Sequence, residues 1–589
     1  MKLSLQSTVL LCLALVADAT ISSSGTRQLA GLSPEEIAAQ DPSNVDGEDE
    51  EQRQVPAVLE LVVNALGGQD ALMDVSLVEY LASGATFVAY EGATPESLVN
   101  VSTYDRFLQF SDLLEENLRV RVEETIQPLF ETFRFFPPAN TTRTAHGDGG
   151  IGPVGVLEGS YLFAANGTMP TASAVALIRQ TYLFNPHVFL KSVLLGSANL
   201  LEVDDDTFVY DDFISPITFT IDTDTGFIDS LTLTESNDLL GDVTVTIAYS
   251  NWSLVTDTGL VFPAFVQQTV NEFVFWQEER YFVQSYNNDN TDIKLDELFE
   301  LPPGTNSTVD FDSYEYGLTS HHLEAVWFMT GFYSFPFNPT IGDPVEIIPN
   351  QVYVIPSFET AQSVVVYFNN GTSAILIEAP SSAQHGATLV NLVQEELAPL
   401  PGSTVLTHLI QSHHHIDHSS AVREVMGETM GNAELIVGHG VEEWWRTDVF
   451  DAPSTLLPDA WAYSNLTGDD AMIFSVQDAG ANVLVNETDL KVFVASVPAE
   501  HAEDMVVTLI ETPQGLYVYV ADLYNAGIGF TVALGGPQEF FDFLRSINVI
   551  DDACQSDFPL FFIGAHGLPT LSLEDALEEF STLGVDVGC

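Results

Sequence analysis

Four histidines and one aspartate occupy the six positions from His413 to His418. The run follows a β-like segment, residues 404–411, so it should lie at the carboxyl end of a strand. Alternate side chains of an extended chain share one face, which predicts that His413, His415 and Asp417 converge and that a turn then brings in His418. Imidazole and carboxylate ligands suit zinc and iron. The pattern therefore predicts a metal site and a metal-dependent hydrolase.

Three further candidate ligands each follow a predicted strand. They are His501 after residues 491–497, Asp522 after residues 515–521, and His566 after residues 560–565. Sheets in α/β domains place their sites at the carboxyl ends of strands. The sequence thus predicts one dispersed site whose parts come from several strand ends.

The order His-x-His-x-Asp-His, completed by these later residues, resembles the signature of the metallo-β-lactamase superfamily. The resemblance covers residues 346–589 and implies an α/β domain built as an αββα sandwich. It implies one metal on His413, His415 and His501, a second on Asp417, His418 and His566, and Asp522 as the bridge. It further implies two Zn²⁺ ions, with iron as the alternative, and a small-molecule substrate.

The implied activity is hydrolysis of an ester, lactone, thioester or related bond by a metal-bridged hydroxide. Asp417 is the candidate catalytic residue, because it would orient the nucleophile or carry a proton to the leaving group. Asp522 stands where a cysteine would mark one group of penicillin-hydrolysing enzymes. Its presence favours the lactonase, thioesterase and arylsulfatase-like relatives.

Some positions near the ligands depart from the family pattern, and none of them removes a ligand. They are Glu378 in place of a structural Asp, Ser419 and Ser420 in place of a glycine pair, and Glu500 and Ala502 in place of Gly and Thr around His501.

Two other functions stay open at this point. The first is a mononuclear-iron sulfur (persulfide) dioxygenase of the same fold, since such enzymes keep similar motifs. The second is a protein that binds an apolar ligand on its N-terminal sheet and has a secondary metal site.

The remaining histidines are interpreted mainly as non-ligands. His414 lies between two ligand positions and is expected to sit beside the metal ligands or in solvent, and His408 is expected to be structural. His439 ends the next strand and is a candidate for a supporting role beside the ligands. The others are His146, His187, His321, His322 and His385.

Residues 55–303 predict a mainly antiparallel β domain, interrupted by one helix over residues 188–201. Its opening, residues 64–72 and 75–77, resembles the curved sheet of periplasmic lipoprotein-carrier domains. An aromatic-rich linker over residues 304–345 would follow. The second domain, residues 346–589, opens with predicted strands and continues with a helix over residues 386–397, the alternation of a layered α/β domain.

The amino-acid composition limits the kinds of partner that the protein can bind. The 589 residues include 84 Asp and Glu against 16 Lys and Arg, a formal charge of −68. Such a surface repels nucleic acid and anionic membranes. No apolar run after the N-terminus is long enough to span a bilayer. Partners among nucleic acids and a membrane span are therefore not expected, and the sequence does not define an oligomeric state.

The N-terminus predicts export. Residues 1–19 have the layout of a signal peptide, and residues 20–54 read as a disordered acidic leader. A secreted chain would keep Cys554 and Cys589, which predicts one disulfide. Secretion from a eukaryote would also permit glycosylation at sequons, namely Asn100, Asn140, Asn166, Asn251, Asn306, Asn370, Asn465 and Asn486.

Overall fold

The computed structural model describes residues within one compact unit, Val55–Cys589. The described residues are 57–89, 92–111, 118–129, 139–147, 154–159, 167–168, 171–195, 200–204, 206–211, 216–255, 258–287, 294–301, 341–356, 361–380, 382–456, 458–477, 481–497, 499, 501–524, 537–582 and 584–588. The predicted signal peptide and acidic leader, most of the linker, two histidines (His321 and His322) and Cys589 lie outside them.

The helices are α1 Ala57–Ala65, α2 Gln69–Asp74, α3 Thr171–Phe184, α4 Pro186–Leu195, α5 Leu295–Leu298, α6 Ala383–Asn391, α7 Ile416–Ser419, α8 Val422–Glu428, α9 Glu442–Trp444, α10 Ala460–Ser464, α11 Pro537–Ser546 and α12 Leu573–Thr582. Short π-helical segments follow α6 and α9, at Leu392–Glu396 and Trp445–Phe450. Among the residues described, no helix is long and apolar enough to cross a bilayer.

The strands of the first half are β1 Val75–Ala89, β2 Leu98–Ser111, β3 Arg119–Pro128, β4 Ala139–His146, β5 Val154–Gly159, β6 Gly167–Thr168, β7 Leu200–Glu202, β8 Thr207–Tyr210, β9 Ile217–Ile221, β10 Ile228–Asn237, β11 Gly241–Leu254, β12 Val261–Val270 and β13 Phe273–Asn287.

The strands of the second half are β14 Val345–Ile348, β15 Val352–Ile355, β16 Ser363–Phe368, β17 Ser373–Ile377, β18 Val405–Ile410, β19 Glu434–Gly438, β20 Ile473–Val476, β21 Ala481–Asn486, β22 Lys491–Ser496, β23 Val506–Thr512, β24 Gly515–Ala521, β25 Leu560–Gly564 and β26 Leu571–Ser572.

Strands β1 to β13 form one antiparallel sheet, in the order β6-β5-β4-β3-β2-β1-β13-β12-β11-β10-β9-β8-β7. Side chains alternate across such a strand, and β9 is alternately buried and half-buried from Ile217 to Ile221. Helices α3 and α4 cover the buried face, where Phe189 meets Phe219 edge to face at 5.2 Å between ring centroids. The predicted mainly antiparallel β domain is confirmed.

The second half is a sandwich of two sheets, β14-β15-β16-β17-β18-β19-β20 and β21-β22-β23-β24-β25-β26. Strand β17 shows how the layers arise. Its Ala374 and Leu376 enter the core shared with helices α6 and α8, while Ile375 and Ile377 enter the core shared with the other sheet. That second core also contains Phe541 of α11 and Phe580 of α12.

Helices therefore cover the outer face of each sheet, and the predicted αββα fold is confirmed. Burial of each such aliphatic side chain contributes about 1.5–3 kcal/mol. The placement of the domain boundaries stays a prediction.

The predicted helix over residues 188–201 is wrong in its bounds. The chain instead forms α3, a proline-opened α4 that ends at Leu195, and the strand β7. The predicted helix over residues 386–397 is found as α6 and its π-helical extension. Cys554 is disulfide-bonded.

A buried ion cluster ties the first sheet to α3. Glu278 is fully buried between Arg106 and Arg280, and its Oε1 accepts from Arg280 Nε at 2.7 Å. Arg280 also donates to the Asn185 side chain at 3.1 Å and to the Phe184 carbonyl at 3.0 Å. Burial opposes ionisation of Glu278, but the two guanidinium groups outweigh it and lower its pKa.

We expect Glu278→Gln to lower the free energy of unfolding by about 3–5 kcal/mol, because two buried guanidinium groups lose their carboxylate. Urea denaturation at pH 7 measures this. The matched control is Glu297→Gln, whose side chain is 68% exposed beside Lys294 and should leave the unfolding midpoint unchanged. Equal midpoints for both variants would contradict the prediction.

Candidate metal centre

The structure brings the seven predicted ligands together in two groups. His413, His415 and His501 form one group, and Asp417, His418, Asp522 and His566 form the other. Within each group the candidate ligand atoms all lie within 4.8 Å of one another. They contain the two ligand sets that the resemblance implies, with the implied bridge Asp522 in the second group and 3.3 Å from His501 of the first.

The first cluster does not adopt the extended conformation predicted for it. Strand β18 ends at Ile410, and residues 411–415 form an irregular loop before helix α7 starts at Ile416. Asp417 consequently lies on α7 with His418 and does not share a face with His413 and His415. The correction explains why one short run supplies ligands to both groups.

Hydroxyl groups hold this helical turn in place. Ser419 Oγ donates to the His415 carbonyl at 2.8 Å, and Ser420 Oγ donates to the Ile416 carbonyl at 2.6 Å. Both serines are buried. Ser419 and Ser420 therefore stabilise the loop that carries the candidate ligands.

The other ligands lie beyond strand ends, as predicted. His501 follows β22, Asp522 directly follows β24, and His566 follows β25. Ala521 has a φ of 47°, which turns the chain sharply before Asp522. Such left-handed conformations cost a side-chain-bearing residue roughly 1–3 kcal/mol and persist where the surroundings enforce them.

Asp522 contacts histidines of both groups. Its Oδ2 lies 3.3 Å from His501 Nε2 and 3.2 Å from His418 Nε2. Its Oδ1 lies 3.2 Å from His566 Nε2. A carboxylate in this position has the geometry of a ligand shared between two ions.

The outward-facing ring nitrogens lie beside polar side chains. His413 Nδ1 lies 2.9 Å from Ser412 Oγ, and His418 Nδ1 lies 3.7 Å from Glu378 Oε1. Glu378 is fully buried and its Oε2 accepts from Gln411 Nε2 at 2.6 Å. It thus places a carboxylate beside His418 at the end of strand β17.

The residues present fit a pair of metal ions. His413 Nε2 is buried and has no hydrogen-bond partner among the described residues, although the other nitrogen of the same ring is bonded. A buried imidazole nitrogen in this state is a ready metal ligand, and a set of three histidines suits zinc or iron. The opposite group adds carboxylate oxygens, which balance the charge of a second ion.

Two histidines of the first group have lowered pKa values, which favours metal binding. Burial, reinforced by the neighbouring imidazoles, holds the pKa values of His413 and His415 well below the usual range. Both rings are therefore neutral over a wide pH range. A neutral imidazole can bind a metal without first losing a proton.

The second group behaves in the opposite way. Burial resists the charged form of His418, but Asp417 and Asp522 outweigh it and hold its pKa well above the usual range. The pKa of His566 is raised by the same carboxylates against the effect of burial. Without a metal these two rings hold protons, which balance the ionised Asp522.

His414 lies outside both groups, as predicted. It is buried, and its Nδ1 lies 2.7 Å from Asp504 Oδ1. This contact joins the first cluster to the loop after His501. The His439 side chain is 47% exposed, its Nδ1 lies 3.8 Å from Glu442 Oε1, and it belongs to neither group.

The other described histidines lie outside both groups. His146 Nε2 lies 2.7 Å from the Phe299 carbonyl, and His408 Nδ1 lies 2.9 Å from the Thr407 hydroxyl. The His187 ring stacks on that of Phe262 at 3.9 Å between centroids, and His385 is buried.

Two supporting residues were not found from sequence. The only sequence feature that points to Asp504 is that this acidic residue lies three positions after His501. The carbonyl of Gly92 lies 3.0 Å from His415 Nε2, and no local pattern connects two residues 323 positions apart.

No protein-family model matches the chain, and no curated protein matches it. Several solved structures are similar. ETHE1 from Myxococcus xanthus has 15% identity over 37% of this chain and 78% of that protein, with a TM-score of 0.24. A metallo-beta-lactamase from Staphylococcus aureus has 16% identity over 38% of this chain, with a TM-score of 0.24.

The matched part spans 60% of the Staphylococcus aureus protein. A metallo-beta-lactamase from Hirschia baltica has 10% identity over 42% of this chain and 99% of that protein, with a TM-score of 0.28. The likeness concerns the metallo-β-lactamase fold alone. The strand order and the site geometry described above come from the structure of this chain and do not depend on that likeness.

We expect acid to release metal from the second group first. As pH falls, protons return to His418 and His566, whose raised pKa values favour them, while His413 and His415 stay neutral. Equilibrium dialysis with zinc at a series of pH values from 8 to 5, followed by elemental analysis, should show two separate steps of loss. Loss of all metal in a single step would contradict this expectation.

Proposed function

We propose that the protein is a secreted, zinc-dependent hydrolase that acts on an ester, lactone, thioester or related bond. The observation that carries the proposal is the buried Asp522 carboxylate, which contacts His501 of one ligand group and His418 and His566 of the other. A carboxylate shared between two sets of ligands can hold two metal ions close together, as two-metal hydrolysis needs.

His413, His415 and His501 would hold one ion; Asp417, His418 and His566 would hold the other, and Asp522 would join them. When bound, the ions would supply an activated water and positive charge for the oxyanion that develops on the substrate. The work of the chain is to fix these ligands and to place the substrate beside them.

Substrate would enter from the side of the second group. The side chains of Asp417 and His566 are 25% and 28% exposed, whereas that of His418 is fully buried. Asp417 Oδ2 lies 3.5 Å from His418 Nε2 and 3.5 Å from His566 Nε2, at the accessible edge. In this position its carboxylate can orient the attacking water and pass a proton to the leaving group.

The second ligand group could hold a second ion, which a two-metal hydrolase uses and a mononuclear-iron dioxygenase does not need. A single ion needs only one group, yet Asp417, His418, Asp522 and His566 are also held within ligand distance of one another. Metal analysis separates the two functions, because the hydrolase should contain zinc and should not consume oxygen.

Secretion is supported by the layout of residues 1–19 and by the disulfide at Cys554, since disulfides persist in oxidising compartments. Among the described sequon asparagines, several are exposed on the surface: Asn140, Asn251, Asn370, Asn465 and Asn486. The large acid excess would keep such a protein soluble outside the cell.

We expect His413→Ala to lose metal and hydrolytic activity together, because it removes a ligand of the first ion. The matched control is His439→Ala, an exposed histidine that should retain both. Zinc content by elemental analysis and turnover on a panel of esters, lactones and thioesters measure the two effects. A wild-type protein with less than one transition metal per chain and no activity on the panel would rule the function out.

We expect Asp417→Asn to lower kcat by about 10²–10⁴-fold, the usual contribution of an acid–base group. The amide keeps the size of the side chain but cannot carry the proton. The first group should keep its metal, as zinc analysis would show. Glu503→Gln, an exposed neighbour of His501, is the control, and an equal loss of kcat in both variants would sink the role given to Asp417.

A further inference from the structure

The loop between β1 and β2 reaches from the first sheet to the metal ligands. Gly92, in its described part, is buried, and the Gly92 carbonyl oxygen lies 3.0 Å from His415 Nε2. The next carbonyl, that of Ala93, accepts from the backbone N–H of Glu503 at 2.7 Å. Two successive backbone groups of the first sheet therefore contact both ligand-bearing loops of the first group.

The contact with Gly92 selects which nitrogen of His415 faces the metal. A carbonyl oxygen only accepts, so in this contact His415 Nε2 carries the proton, and Nδ1 is the ring nitrogen that could act as a metal ligand. The ring lies 4.4 Å from that of His413 and 4.3 Å from that of His501, between centroids. Metal-bound histidines commonly depend on such a partner for their tautomer and orientation.

His415 differs from the other ligands in the origin of this partner. His413 and His418 are supported by Ser412 and Glu378, which belong to the sandwich itself. The Gly92 carbonyl that contacts His415 belongs instead to the loop between two strands of the first sheet. The sandwich therefore does not supply the complete environment of its own ligands.

We propose that Gly92 is a positioning residue of the metal centre, and that the β1–β2 loop sets the metal affinity of the first ligand group through His415. The proposal rests on the metal-dependent function above. It assigns to the first sheet a role in building the site, separate from any ligand that this sheet binds.

Close packing explains the glycine. A Cβ at Gly92 would lie 2.6 Å from Ser97 Cβ and 3.0 Å from Val99 Cγ2. The loop is closed by Ser97, whose backbone N–H donates to the Thr94 carbonyl at 2.9 Å and whose hydroxyl lies 2.9 Å from that of Thr94. A side chain at position 92 would force the loop to move, and the carbonyl would move with it.

A second contact fixes the first sheet from another direction. At the β10–β11 turn, the Asp242 carboxylate accepts from the backbone N–H of Thr455 at 2.8 Å and of Leu456 at 3.2 Å. This contact involves neither ligand group. It provides a way to separate general docking of the sheet from the specific effect of Gly92.

The test is the affinity for zinc alone, measured on the full chain by competition with a chromogenic chelator. We expect Gly92→Ala to weaken zinc binding by about 10–100-fold, the usual effect of losing a partner of a ligand. The visible spectrum of the cobalt(II)-loaded protein should change as well, because the ligand field around the first ion changes. Circular dichroism and the urea midpoint confirm that the variant is folded.

A second variant makes room for a side chain at position 92 by removing the Ser97 side chain. Ser97→Gly takes away the closest atom, so Gly92→Ala combined with Ser97→Gly should recover most of the affinity relative to Ser97→Gly alone. Glu96→Ala, an exposed change in the same loop, is the matched control and should bind zinc normally.

The outcomes are distinct. Wild-type protein that binds no zinc would overturn the proposed function itself. Wild-type protein that binds zinc, with Gly92→Ala equal to it in affinity and cobalt spectrum, would overturn the role of Gly92 alone. Asp242→Ala should leave zinc affinity unchanged, and a loss equal to that of Gly92→Ala would likewise overturn a specific role for the loop.

Discussion

One buried carboxylate organises the centre of this protein. Asp522 is 6% exposed and contacts His418, His501 and His566 at 3.2–3.3 Å. A buried charge of this kind must be balanced, since an unpaired one costs several kcal/mol. Protons on His418 and His566 can balance it, and metal ions would do so in their place.

The fold meets this constraint by bringing strand ends to one edge. Strands β18, β22, β24 and β25 each stop shortly before a ligand. Hydrogen bonds between loops then fix their relative positions. The backbone N–H of Gln362 donates to the Ala565 carbonyl at 2.7 Å, and its side-chain amide donates to the Gly564 carbonyl at 2.6 Å. The strand ends and these hydrogen bonds together hold the side chains of the site in place.

The sandwich and its ligands were predictable because their signals are local. Each ligand directly follows an apolar strand, and both features lie within a dozen residues of one another. The conformation of the first cluster was not predictable in this way. The extended reading of residues 413–417 fails because β18 ends at Ile410 and serine hydroxyls capture the carbonyls of His415 and Ile416. Helix α3 gives no apolar–polar period in the sequence, because its buried stretch 177–184 contains Arg179, Gln180 and Thr181 among the apolar residues.

The contact between Gly92 and His415 joins residues 323 positions apart. Closing so long a loop is a slow step in folding, because entropy is lost before the contact forms. During synthesis the β1–β2 loop leaves the ribosome well before the histidines it must meet. A chain whose second half alone has folded holds all seven candidate ligands, but His415 still lacks its contact with Gly92. Acquisition of tightly bound metal would consequently mark the end of maturation, and separate the finished protein from its folding intermediates.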